Sequence, residues 1–119
     1  MKSAAKAYGA VANKTSHPRE LEASLLLDAA SRLQAAKGLK GEPLYDALTH
    51  NRKLWVLLLG TVTKNENPLD LPIRQNIANL GLFVCKQTIN ALIDPKPDNL
   101  VSLININREL AAGLLGRAA

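Results

Sequence analysis

Apolar residues recur at spacings of three and four in four stretches of this chain, each bounded by Pro, Gly or Asn punctuation. In Leu44–Val62 the positions Leu44, Leu48, Asn51, Trp55, Leu58 and Val62 share one face of a helix. A single amide, Asn51, interrupts that face, with Arg52 and Lys53 beside it. The pattern predicts a central, mostly buried helix with a polar group held in its packing seam.

The other stretches follow the same logic. Pro18 suits a first helical turn, with Ser16 or His17 as the cap, and Glu20 and Glu22 complement the positive end of the helix dipole. That helix is expected to run from about Pro18 to Lys37, with Leu21, Leu25, Ala29, Leu33 and Ala36 as its stripe and Leu26 and Leu27 widening it. Gly38 is a stop signal. The second helix is expected from Glu42-Pro43 to about Lys64.

The third helix is expected to begin at an Asp70 cap with Pro72 in its first turn, and to close at Asp94-Pro95-Lys96-Pro97. Ile73, Ile77, Leu80, Val84 and Ala91 mark one face of it, and Leu82, Phe83, Ile89 and Ile93 form a second strip. The fourth is expected from about Asp98 to Leu115. Its face of Leu100, Leu103, Ile104, Asn107, Leu110 and Leu114, with Val101, Ile106 and Leu115 elsewhere, is broader than one seam needs.

No alternating strand pattern and no internal repeat is present. The predicted fold is therefore all-α, an antiparallel bundle of four main helices plus a short N-terminal helical arm. The arm is residues 1–16 and the bundle a single domain, 17–119. The arm is Ala-rich, with Tyr8 and Val11 at i, i+3 and Gly9 weakening it. A helix that short is marginal alone, so it must dock on its own bundle or on a partner.

Composition supports this picture. Of 119 residues 47% are apolar, enough for one core, but only four are aromatic (Tyr8, Tyr45, Trp55, Phe83). The core must come from Leu, Ile, Val and Ala. No apolar run approaches transmembrane length, so no membrane insertion is expected. Lys2 and Lys6 have no apolar segment behind them to make a secretory signal. The lone Cys85 has no internal disulfide partner and is expected to be a reduced core residue, which suits a cytoplasmic protein.

The net charge of +5 is uneven. Residues 1–40 hold seven Lys/Arg against three Asp/Glu, and residues 41–119 hold eight against seven. A basic N-terminal end fits an acidic partner, RNA, an anionic surface, or simply a solubilising role. Its cations lack interleaved aromatic residues on which bases could stack, which argues against direct nucleic-acid binding.

The chain shows no chemistry-bearing constellation. His17, His50 and Cys85 lie in different elements, too dispersed for metal spacing, so no metal or cofactor is expected. Neither a phosphate-binding Gly-rich loop nor a nucleophile elbow is present, and no enzyme is expected.

The polar residues set in apolar surroundings are more informative. Asn51 and Asn107 either hydrogen-bond across two core helices and fix register, or edge a groove that binds a partner helix. Arg52 and Arg108 are the stronger partner-binding candidates, since Arg makes bidentate contacts and is enriched at interface hot spots. Trp55 fits either the core or such a hot spot. The mode would be a partner's amphipathic helix packed beside the bundle.

Five blocks in order carry a family resemblance: Pro18-Arg19-Glu20-Leu21-Glu22; Asn51-Arg52-Lys53-Leu54-Trp55; Leu71-Pro72-Ile73-Arg74; Asn79-Leu80-Gly81-Leu82-Phe83-Val84; and Leu103-Ile104-Asn105-Ile106-Asn107-Arg108 with Gly113-Leu114. Together with Ala7-Tyr8 near the start, this order resembles the FlaF family of flagellar biosynthesis regulators, over nearly the whole chain.

The resemblance implies a small cytoplasmic helical protein that acts in flagellin production and export. It would bind flagellin as a chaperone, through a terminal segment that is disordered in the monomer and helical in the filament. It would work beside a regulator of flagellin messenger RNA. The alternatives are direct RNA binding or action as an adaptor through that second regulator. The partner-binding residues expected on this reading are Tyr8, Arg52, Trp55, Asn105 and Arg108. The oligomeric state is left open.

Overall fold

The computed structural model describes residues 18–64 and 67–116. Four helices follow one another: α1 (Pro18–Ala36), α2 (Glu42–Val62), α3 (Leu71–Ile93) and α4 (Pro97–Leu114). These are the four predicted helices, with every end within one or two residues of expectation. The predicted arm, Tyr8 included, lies outside the described residues.

Each helix starts on or one residue before a proline: Pro18, Pro43, Pro72 and Pro97. A proline there gives up an N–H that would have no helical partner and sets φ for the first turn. At α2, α3 and α4 no side-chain capping bond accompanies it. Asp70 stands at the expected cap position of α3, but its carboxylate is not the capping acceptor. Gly38 ends α1 at φ 81°, a left-handed turn that a side chain would strain. The α2–α3 connection is held by Asn67, whose Nδ2 donates to the Thr61 carbonyl while its Oδ1 accepts from the Leu69 N–H.

The helices form a ring in which α1 packs on α2, α2 on α3, α3 on α4, and α4 back on α1. The diagonal pairs α1/α3 and α2/α4 do not meet through their backbones. Neighbours run antiparallel. Asp28 of α1 faces His50 of α2, Arg74 near the start of α3 donates to the Lys64 carbonyl just beyond α2, and Gln87 late in α3 donates to the Asn99 carbonyl early in α4. The topology is thus up-down-up-down, and the diagonal helices α2 and α4 run parallel.

Leu26, Leu33, Leu48, Trp55, Ile77, Val84, Leu100 and Leu103 fill the centre. The buried face of α1 is turned slightly from the predicted stripe. Ala23, Leu26 and Ala30 are inside, Leu25 is only partly covered, and Leu27 is exposed. Small side chains at Ala23, Ala29, Ala30 and Ala36 let α4 and α2 approach α1 closely.

The expectation of surplus apolar surface on the fourth helix is corrected. Among the described residues, Val101 is the one large apolar side chain exposed on α4, whereas Leu71, Ile73, Leu82, Phe83, Ile89, Leu92 and Ile93 are all exposed on α3. Leu100, Leu103, Ile104 and Ala111 of α4 are buried in the bundle, where α4 has its long contact with α1, and Ile106, Leu110 and Leu114 are partly buried on the side of α3. α3 carries apolar side chains on an outer strip as well as on its buried side.

Candidate functional site

Asn107 is the polar hub of the core. Trp55 Nε1 donates to its Oδ1 at 2.9 Å, and its Nδ2 donates to Asn51 Oδ1 at 2.7 Å and to the Leu26 carbonyl at 3.3 Å. The amide orientation follows from chemistry. The indole N–H can only donate and the carbonyl can only accept, so the oxygen of Asn107 must face Trp55 and its nitrogen Leu26. Asn51 must then offer its oxygen. Its own Nδ2 finds no partner among the described residues. All three side chains are fully buried.

The predicted Asn51–Asn107 bond across two core helices is therefore present, and it spans the diagonal of the ring. Trp55 belongs to the core. It can act on a partner surface only as the support behind it.

Asn51 and Asn107 both point to the bundle axis from parallel, facing helices. One residue further on turns each helix about 100° in the same sense. Arg52 and Arg108 therefore emerge on opposite flanks and cannot share one surface. On α2 that flank leads to α3, because Leu59, seven residues beyond Arg52, packs against Gly81 of α3. On α4 it leads towards α1, because Ile106, Leu110 and Gly113 on the other side line a groove with α3. Asn105 and Arg108, both exposed, fall with Val101 on the α1 flank. The five predicted partner-binding residues are thus dispersed: Arg52 on one face, Asn105 and Arg108 on another, Trp55 in the core, and Tyr8 outside the described residues.

What gathers around Arg52 is an apolar face across α2 and α3. On α2, Tyr45 and Val56 are exposed and Leu59 is partly so, in line with Arg52. On α3, Leu82, Cys85, Ile89 and Leu92 fall at i, i+3, i+7 and i+10, the seam spacing of a helix awaiting a partner. Leu82 and Ile89 are 65% and 57% exposed, whereas Cys85 is partly covered. Cys85 is consequently not the core residue expected, since its position follows the outer strip of α3. Tyr45 and Leu92 line a common hollow at one end of the face. The sequence signal was the strip Leu82, Ile89, Ile93 in a helix with only Arg74 and Lys86 as charges.

A second apolar feature lies at the opposite end of the bundle. Ile73 and Leu80 of α3 and Ile106, Leu110 and Leu114 of α4 line an open groove of about 460 Å³. Leu69 and the polar side chains of Arg19, Asn76 and Glu109 also line it.

Two comparisons with known proteins, a search of curated proteins and one of solved structures, returned no match. A family model, that of flagellar protein FlaF, matches residues 4–114. The chain belongs to the FlaF family. The match takes in both apolar features and the hub of the core, as well as most of the arm ahead of α1.

His50, in the α1–α2 seam, has its pKa lowered, first by burial and then by Arg32. The carboxylate of Asp28, 3.7 Å away, opposes them, and Lys53 adds to the lowering. Asp28 is held by Arg32 at 2.9 Å, which limits what it offers the imidazole. Among the described residues no three His, Cys, Asp or Glu side chains are grouped to hold a metal. No described helix is long and apolar enough to cross a membrane.

Proposed function

We propose that this FlaF-family protein binds flagellin, carrying a helical terminal segment of the monomer on its α2–α3 face as an export chaperone in the cytoplasm. The observation behind this reading is the apolar strip of α3, with Leu82 and Ile89 more than half exposed, beside Tyr45 and Val56 of α2. Exposed apolar area in one contiguous patch is the usual mark of a partner site. From Tyr45 to Leu59 the face is about 20 Å long, the span of a four-turn helix. Such a helix would lie alongside α2 and α3 as a fifth member of the bundle.

Arg52 stands within this face, with Lys53 next to it. The client helix is expected to be amphipathic, to bury its apolar stripe on α3, and to set a carboxylate against Arg52. A client that must fold on binding loses ordering entropy, which keeps affinity moderate and release easy. That suits a carrier, and the function is binding rather than catalysis.

Calorimetric titration of the full chain with its cognate flagellin monomer, whole and truncated at either end, tests the reading. Binding that disappears with one truncation supports it and locates the client segment. A folded protein that binds no form of flagellin refutes it. The RNA alternative rests on a basic end whose Lys2, Lys6 and Lys14 lie outside the described residues. It requires steeply salt-dependent binding to a flagellin leader RNA.

A further inference from the structure

The groove between α3 and α4 lies at the end of the bundle where α1 begins, and Arg19, the second residue of α1, is one of its lining residues. Seventeen residues precede Pro18 in the sequence, and the groove that Arg19 helps to line is open among the described residues. We propose that residues 2–12 are the occupant of this groove, docked in cis as a short fifth helix.

Three observations converge on that occupant. Wound as a helix, residues 2–12 set Ala4, Ala7, Tyr8 and Val11 on one side and Lys2, Lys6 and Gly9 on the other. The apolar side carries one large ring, that of Tyr8, and otherwise small groups. The lengths also agree. Ile106 to Leu114 spans about 12 Å and an eleven-residue helix about 16 Å. The linker 13–17 reaches at most about 18 Å, enough to turn back into the groove.

Polar groups are placed compatibly. Glu109 is an exposed residue of the groove lining and offers the lysines of a docked arm an opposite charge. The apolar walls, Ile73, Leu80, Ile106, Leu110 and Leu114, give the arm the burial it needs, since eleven residues in isolation would not hold a helix. The family match begins at residue 4, so residues 4–12 of the segment fall within the family pattern. The inference concerns the free protein and stands apart from the flagellin reading, which uses a different face.

The test uses the unmodified full chain with no partner present. Its four aromatic residues make the Tyr8 ring easy to follow by NMR against labelled Ile, Leu and Val methyls. The expected result is cross-relaxation from the Tyr8 ring to methyls of Ile73 and Leu110 and none to those of Ile89. A nitroxide at Lys2→Cys in a Cys85→Ala chain adds a second measurement that also catches exchanging contacts. Ile73 and Ile106 should lose most of their methyl intensity while Ile89 and Ile93 keep theirs. Contacts to Ile89 or Ile93 instead, or no contact in either measurement, would overturn the proposal.

Discussion

Trp55 donates its indole N–H to the Oδ1 of Asn107 at 2.9 Å across the diagonal of the bundle, joining two helices whose backbones do not meet. Through Asn107 the connection extends to Asn51 on α2 and to the Leu26 carbonyl on α1. Three of the four helices are thereby tied to one side chain in an otherwise apolar centre. A slip of α4 by one residue would bury an indole donor without an acceptor, so this hub fixes register as well as adding stability.

The roles of the two amides differ. Asn107→Leu leaves the Trp55 N–H buried and unpaired, and should cost about 1–3 kcal/mol. Asn51→Leu removes an amide whose Nδ2 is already unpartnered among the described residues, and leaves Asn107 bonded to Leu26. It should cost less, about 1 kcal/mol at most. Urea unfolding of both variants compares them. A larger loss for Asn51→Leu would contradict the assigned orientation.

Burial and Arg32 lower the pKa of His50 in the folded protein. The unfolded chain then binds a proton more readily than the folded one, so stability rises with pH over the interval between them. The contribution of His50 is complete above about pH 6.5, the unfolded value. It declines as pH falls below that and levels off under the folded pKa. His50→Gln should flatten this part of the stability–pH curve, as measured by urea midpoints from pH 7.5 downwards.

Gly81 marks the close approach of α3 to α2. A Cβ there would lie 2.5 Å from Leu59 Cδ2 and 2.9 Å from its Cγ. Gly81→Ala gains helix propensity but forces Leu59 aside, and should destabilise by about 1–2 kcal/mol. Adding Leu59→Ala opens the space. The double variant should be more stable than the sum of the two single losses predicts, which a thermal or urea double-mutant cycle reads directly.

Arg52 and Arg108 resemble each other in sequence, each following a buried Asn, but they leave the bundle on opposite flanks. Arg52→Glu should weaken flagellin binding about tenfold, or ~1.4 kcal/mol, and Arg108→Glu should leave it nearly unchanged. Calorimetry on the two folded variants separates them. Equal losses would place the client elsewhere.

The helices were legible because period and punctuation agree. Each stretch has a proline at its start, and stripes such as Leu100, Leu103, Ile104 and Asn107 map onto the buried face of α4. The Asn51–Asn107 bond was also legible, as two amides in the middle of apolar stripes need each other. The part of Trp55 in it was not, since a tryptophan on a stripe gives no sign of where its N–H points. The surplus apolar surface was assigned to the wrong helix for a related reason. Periodicity shows how wide a stripe is, but not how much of it neighbours cover. Leu100, Leu103 and Ile104 of α4 are buried in the bundle and Ile106, Leu110 and Leu114 are partly covered beside α3, while the outer strip of α3 faces no described helix. That Arg52 and Arg108 leave the bundle on opposite flanks was not legible, because chain-local pattern carries no handedness between two helices.

The central claim is that the α2–α3 face carries the client, and methyl NMR of the full chain titrated with flagellin monomer tests it most directly. The account predicts shifts concentrated at Val56, Leu82, Ile89 and Leu92, with Val101 on the opposite flank unmoved. Shifts centred on Val101, or none at saturating flagellin, would contradict it.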